Sequence, residues 1–297
     1  MTPDDLISEI RHDRRRGASE LACRCLAGLA EYARTAGASD SETLRAELVD
    51  LAGRLRDSRP TMAPITNLLD QWLALLNKPT EQKLDDFRAQ VSQHTNALIQ
   101  ASKAALSQAV ANAVALIGSD KTIVTHSLSS TVLAVFETLT PRVKAIVTES
   151  RPPGEGRRLT EMLSALAVET HFITDQQMGV FTRRADIALV GADTVADDGS
   201  VINKAGTYLL ALAAKDQGIP FYVCFESFKC ATSGVSQVPL EAHDPAEFDG
   251  PSLEHVKSHN VYFDVTPPRL VSAWITERGV QQDAAALAPR LTKLKSR

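Results

Sequence analysis

Residues 186–229 read DIALVGADTVADDGSVINKAGTYLLALAAKDQGIPFYVCFESFK. One apolar run, DIALVG (186–191), opens the stretch and another, FYVCF (221–225), closes it. Between them GTYLLALAAKDQG carries apolar residues at helical spacing and ends on a glycine. Strand, helix, strand in this order is a βαβ unit, whose two strands lie parallel in one sheet. The two runs are continuously apolar rather than alternating, as strands covered on both faces require.

The same alternation extends outward from this stretch. KTIVT (121–125), VKAIVT (143–148) and HFIT (171–174) precede it, and VSAWIT (271–276) follows. SSTVLAVFETL and LTEMLSALAVE supply amphipathic helices between the strands. A strand recurs at roughly 25-residue spacing, the pattern of a mostly parallel sheet. Residues 118–297 are therefore expected to form a Rossmann-like α/β domain.

Residues 1–117 have a different texture and read as an N-terminal helical domain. Ala, Leu, Arg, Glu and Gln dominate, and β-branched residues are scattered. Leu21, Cys25, Leu26 and Leu29 share one helical face, and Gly37 follows as a stop. A second helix is expected from Ser41 to Leu55. Pro60 suits the start of a third, with Leu68, Leu69, Trp72 and Leu75 on its buried side. Thr80 to Ile117 carries one apolar stripe without internal Gly or Pro, which predicts one or two further helices.

A chain of 297 residues has room for two cores. Its net charge of −4 lacks the cationic excess of a nucleic-acid binder. Its apolar runs are shorter than the ~20 residues of a membrane span. The opening residues, MTPDDLISEIRHDRRRG, contain no apolar signal core. Neither nucleic acid nor membrane is expected as a partner, and the expected location is cytoplasmic. Cys23, Cys25, Cys224 and Cys230 have no zinc spacing and read as reduced thiols, mostly packed as small hydrophobes. No metal and no cofactor is expected.

Ligands of open parallel sheets bind beyond the carboxyl ends of the strands. The residues just after each strand therefore matter most. The first strand is followed by His126-Ser127-Leu128-Ser129-Ser130, and the second by Glu149-Ser150-Arg151-Pro152. Ala192-Asp193 follows DIALVG, with Asn203-Lys204 further on, and Glu226-Ser227-Phe228-Lys229 follows the last apolar run. Hydroxyls, cations and helix N-termini suit a phosphate, and Asp and Asn suit a polyhydroxy ligand. Each residue also has a plainer role. Ser129 and Ser130 serve equally as helix caps, Asn203-Lys204 as a turn, and Arg151 as a solvated charge. Asp193 is harder to dismiss, because a carboxylate beside an apolar strand is costly unless paired or open to a cleft. His126 reads first as a structural histidine. Strand neighbours face opposite ways, so it is not expected to reach Ser127.

Six motifs in order resemble one superfamily: Arg16-Gly17-Ala18, Arg59-Pro60-Thr61, IVTHSLSSTV (123–132), TESRP (148–152), GADTVADDGSVINKAGTYLLALAAKDQGIPFYVCFESFK (191–229) and FDVTPPRLVSAWITERG (263–279). That superfamily joins ribose-1,5-bisphosphate isomerase and methylthioribose-1-phosphate isomerase to the alpha, beta and delta subunits of translation initiation factor 2B. The resemblance implies a pocket for a phosphorylated sugar or a nucleotide-derived small molecule. It also implies a homodimer through the C-terminal domain, or a larger assembly. Arg16, Gly17, Ala18, Arg59, Ser129, Ser130, Arg151, Asn203, Lys204 and Lys229 would bind the ligand. Asp193 and Ser127 occupy the two catalytic positions. The isomerases carry a cysteine where this chain has Ser127. A serine hydroxyl is a far weaker acid than a thiol of pKa near ~8.5. The resemblance therefore implies a binding or regulatory member, with an aldose-1-phosphate to ketose-1-phosphate isomerase using Asp193 as the alternative.

Overall fold

The computed structural model describes residues 2–13, 15–76, 83–152, 154–231, 240 and 242–287. Its contacts divide the chain into two units, Met1–Ala104 and Ala105–Arg297. The division falls inside a helix, whereas the composition changes at Gly118.

The first unit is helical: α1 (Pro3–His12), α2 (Ala18–Thr35), α3 (Ser41–Arg56), α4 (Ala63–Leu76) and the first part of α5 (Leu84–Ile117). Leu21, Cys25, Leu26 and Leu29 are fully buried, as the spacing predicts. Pro60 does not start the third predicted helix. Met62 N–H closes a turn on Arg59 O at 3.0 Å, so α4 begins at Ala63. Leu75 is half-buried, and Leu76 takes the core position instead. Thr80 to Gln82 lie outside the described residues, and the rest of that stretch is the single helix α5. The composition did not single out α1, yet it opens on a reciprocal cap. Thr2 Oγ1 accepts from Asp5 N–H at 3.2 Å, and the Asp5 carboxylate accepts from Thr2 N–H at 3.0 Å.

The second unit is built on β1 (Lys121–Thr125), α6 (Ser130–Leu139), β2 (Val143–Thr148), α7 (Gly156–Ala165), β3 (Glu169–Ile173), α8 (Met178–Phe181) and β4 (Ile187–Val190). It continues through β5 (Thr194–Val195), β6 (Val201–Lys204), α9 (Thr207–Gln217) and β7 (Phe221–Cys224). After these come β8 (Ala242–His243), β9 (Asn260–Val261), β10 (Phe263–Thr266), β11 (Ala273–Thr276) and β12 (Gly279–Gln281). The main sheet has the order β12-β11-β7-β4-β1-β2-β3. All its described neighbours pair parallel except the closing hairpin of β11 with β12.

One face of the sheet packs Ala109, Val110 and Ala113 of α5 with Val132, Phe136, Leu159 and Leu163. The other face packs Met178, Leu210, Ala211 and Ala214 with Trp274. Covered on both sides, the strands are apolar throughout, which is why they were legible as continuous runs. A small antiparallel sheet of β10, β6 and β5 adds to this core. No described helix is long and apolar enough to cross a membrane.

The strand order fixes where a ligand site can form. From β1 the chain steps outward to β2 and β3, then returns to the other side of β1 with β4. Such a reversal opens a crevice at the carboxyl ends of β1 and β4. His126 and Ser127 follow β1 there, and Gly191, Ala192 and Asp193 follow β4.

Candidate functional site

Gly191 shows how closely the two loops of the crevice meet. A Cβ at this position would lie 2.3 Å from Ser129 Oγ, so only glycine lets them touch. Ser129 takes the capping role as well, accepting from Val132 N–H at 3.4 Å, and Ser130 is the first residue of α6. Asp193 is half-buried, and its N–H donates to Ile202 O at 3.0 Å where the small sheet begins.

His126 is buried and structural. Its Nε2 lies 2.9 Å from Ala205 O, a carbonyl that only accepts, so Nε2 carries the hydrogen. Nδ1 is then free to accept from Thr148 Oγ1 at 2.6 Å. Burial lowers the pKa of His126, and Asp175, 3.8 Å away, opposes that shift only in part. Gly206 makes room for the ring: its φ is +111°, and a Cβ there would lie 2.7 Å from His126 Nε2.

Ser127 adopts φ +70°, a left-handed conformation outside the strand. Its N–H donates to Ser150 Oγ at 2.7 Å, and its hydroxyl donates to Glu155 Oε1 at 3.0 Å. The same carboxylate oxygen lies 2.9 Å from Lys204 Nζ. Lys204 is 6% exposed, donates also to Pro152 O at 3.0 Å, and sits 4.1 Å from the centre of the Tyr262 ring. Asn203, equally buried, donates from Nδ2 to Thr207 Oγ1 at 3.0 Å. The crevice thus brings Ser127 and Lys204 together through Glu155.

The remaining donors of this crest also face carboxylates from within the chain. Asp175 accepts from the N–H groups of Ser150 and Arg151 at 2.8 and 2.7 Å, while the Arg151 side chain is exposed. Asp264 accepts from the N–H groups of Gly206 and Tyr208 at 2.7 and 3.1 Å, at the entry to α9. Burial raises the Asp264 pKa from 3.8 to about 6, against these two hydrogen bonds. Lys229 lies beyond β7, 3.2 Å from Glu226 Oε2, with both side chains buried.

Arg16, Gly17, Ala18 and Arg59 belong to the first unit, where Asp13 holds the two arginines. Its carboxylate lies 3.2 Å from Arg16 Nη1, and its carbonyl accepts from Arg59 Nη1 at 3.1 Å. Arg16 also pairs with Glu9 at 2.7 Å, Gly17 caps α2, and Ala18 is buried as its first residue. None of the four cysteines forms a disulfide among the described residues, and burial pushes the thiols of Cys25, Cys224 and Cys230 up to about 12.

Glu155, Asp175, Tyr262 and Asp264 were not picked out by sequence reasoning. Asp175 stood within reach of the strand-end rule, two residues past β3. Glu155 lies between Gly154 and Gly156 and carries no spacing signal, and Asp264 acts only once β10 pairs with β6.

A model of the "Initiation factor 2 subunit family" matches residues 14–283. A translation initiation factor eIF-2B subunit 2-like protein of Pyrococcus abyssi is 34% identical over 287 residues, covering 94% of this chain and 97% of that one. A ribose 1,5-bisphosphate isomerase of Haloferax volcanii is 34% identical over 273 residues, covering 89% of this chain and 84% of its own length. The crystal structure of a Pyrococcus horikoshii translation initiation factor eIF-2B superposes with a TM-score of 0.82 at 33% identity, over 94% of this chain and 96% of that one.

Proposed function

The chain belongs to the initiation factor 2 subunit family, and we propose that it is a sugar-phosphate-binding member whose site lacks thiol chemistry. The observation that carries the reading is Ser127. By the motif resemblance it stands where the isomerases carry cysteine, and its hydroxyl is donated to Glu155 at 3.0 Å. A hydroxyl so held orients a ligand but releases no proton near neutral pH without an activating base. The thiols of Cys25, Cys224 and Cys230 do not take over, because burial pushes them up to about 12. In this reading Asp193, Asn203, Lys204, Ser129, Ser130, Arg151 and Lys229 contact the ligand, and the bound state is the signal.

A second reading is supported by Asp193, which keeps its place at the crevice, and by the relative named an isomerase. In that reading an aldose 1-phosphate becomes a ketose 1-phosphate. Asp193 moves the hydrogen between C2 and C1, and Ser127 only orients the sugar. Phosphorus and carbon NMR of ribose 1-phosphate and ribose 1,5-bisphosphate, each incubated with the purified protein, separates the two. Line broadening without new resonances is the expected result. A ketose product that disappears in Asp193→Asn would establish the isomerase instead.

The proposal extends to a homodimer through the second unit. Leu209 and Leu212 on α9 are 59% and 38% exposed, unusual for two large apolar side chains on one helix. Analytical ultracentrifugation should find a dimer that Leu209→Lys weakens. A wild-type monomer at micromolar concentration would remove this part.

A further inference from the structure

We infer that Glu155 is a specificity-determining residue, one that turns a second phosphate away from Lys204 and offers a ligand hydroxyl an acceptor in its place. This rests on the sugar-phosphate reading and names the class within it: a monophosphate with a free hydroxyl, in preference to a bisphosphate.

Charge within the second unit argues for it. Lys204 Nζ is already held by Glu155 at 2.9 Å, by Pro152 O at 3.0 Å, and by the Tyr262 ring at 4.1 Å. Those three directions use all the hydrogens of an ammonium group. Lys229 is paired with Glu226, the entry to α9 with Asp264, and the Ser150 and Arg151 N–H groups with Asp175. Among the candidate cations of this unit, Arg151 has an exposed side chain with no ion pair to a described residue. Within this unit, one candidate cation without a carboxylate partner among the described residues suits one phosphate, while Lys204 and Lys229 meet the ligand with their charge already balanced.

Glu155 itself supplies the second half of the argument. Oε1 has two donors, Ser127 Oγ and Lys204 Nζ. Oε2 is buried and has no hydrogen-bond partner among the described residues. A buried carboxylate oxygen without a donor is unfavourable, and a sugar O–H supplies one. An ionised phosphate brings only further negative oxygens, and at contact distance two like charges in a poorly solvated site repel strongly. The carboxylate also reaches the side chain that replaces the thiol, so a hydroxyl bound there would sit beside Ser127.

Isothermal titration of ribose 1-phosphate and ribose 1,5-bisphosphate into wild type and Glu155→Gln tests the assignment. The amide keeps the shape and removes the charge. Affinity for the bisphosphate, divided by that for the monophosphate, should rise at least about tenfold in the variant. Glu155→Ala, which removes the charge and the shape together, should move the ratio the same way, so a fold defect in one variant does not decide the matter. A ratio that stays constant or moves toward the monophosphate in both variants overturns the role of Glu155 while leaving the sugar-phosphate reading intact. Absence of heat with both ligands in all three proteins removes that reading, and this inference with it.

Discussion

Replacing Asp264 by asparagine should make the protein less sensitive to rising pH. Asp264 pairs opposite Asn203 in the small sheet and accepts from Gly206 N–H at 2.7 Å and Tyr208 N–H at 3.1 Å. Those N–H groups, at the start of a helix, favour the ionised form. Burial disfavours it and prevails, raising the pKa from 3.8 to about 6. At ~1.4 kcal/mol for each tenfold change in proton affinity, that rise corresponds to roughly 3 kcal/mol. The folded chain holds this proton more tightly than the unfolded chain. Its contribution to stability is therefore fully present below about pH 4 and is lost as pH rises through about 6. Asp264→Asn keeps an oxygen acceptor and abolishes the titration. Urea unfolding of both proteins between pH 4 and 7.5, at matched ionic strength, should show the variant gaining up to about 3 kcal/mol relative to wild type across that range. A difference that does not change with pH would refute the reasoning. So would a wild type that gains on the variant as pH rises, which would mean that the helix entry outweighs burial.

His126 should contribute with the opposite sign. Burial lowers its pKa below the usual 6.5, so its stability is present above that value and lost as pH falls below it. His126→Gln keeps a donor for Ala205 O, and its melting temperature should fall less on acidification from pH 7 to 5; an unchanged slope would contradict this. Gly206→Ala places a Cβ 2.7 Å from the His126 ring at φ +111°, and should cost about 2–4 kcal/mol in chemical denaturation. A loss below 0.5 kcal/mol would mean the loop relaxes freely (~0.5 is an ordinary surface effect). Ser127→Cys should produce isomerase turnover absent from wild type if the thiol is the missing group. A variant that binds ribose 1-phosphate but gives no product by NMR would show that other changes in the crevice matter.

The strands of the main sheet were legible because burial on both faces leaves each a continuous apolar signal. KTIVT and VKAIVT match β1 and β2 residue for residue. VINK was not read as a strand, although all four residues are buried, because it is short, does not alternate, and pairs with the two-residue β5 and with β10, far along the chain. Pro60 misled because a proline suits a turn before a helix as well as the helix start. At the crevice, the strand-end rule singled out Ser127, Asp193, Asn203 and Lys204, but not Glu155, whose contacts form only where the loops after β1 and β2 meet the end of β6. The side chains of His126 and Ser127 do turn to different partners, as strand geometry suggested, although the Ser127 N–H and His126 Nδ1 both meet Ser150 Oγ. The cause is the left-handed backbone at Ser127 rather than alternation along a strand.

The cluster around Lys204 draws on His126, Glu155, Tyr262 and Asp264, from loops and strands spread over most of the second unit. A ribosome adds ~5–20 residues per second, and contacts between distant segments are the slow ones to close. Nascent chains halted before Tyr262 can hold the first parallel strands but not the floor beneath the lysine. In the sugar-phosphate reading, ligand retention would therefore begin only in chains halted beyond Asp264, and would report completion of the unit rather than the onset of its folding.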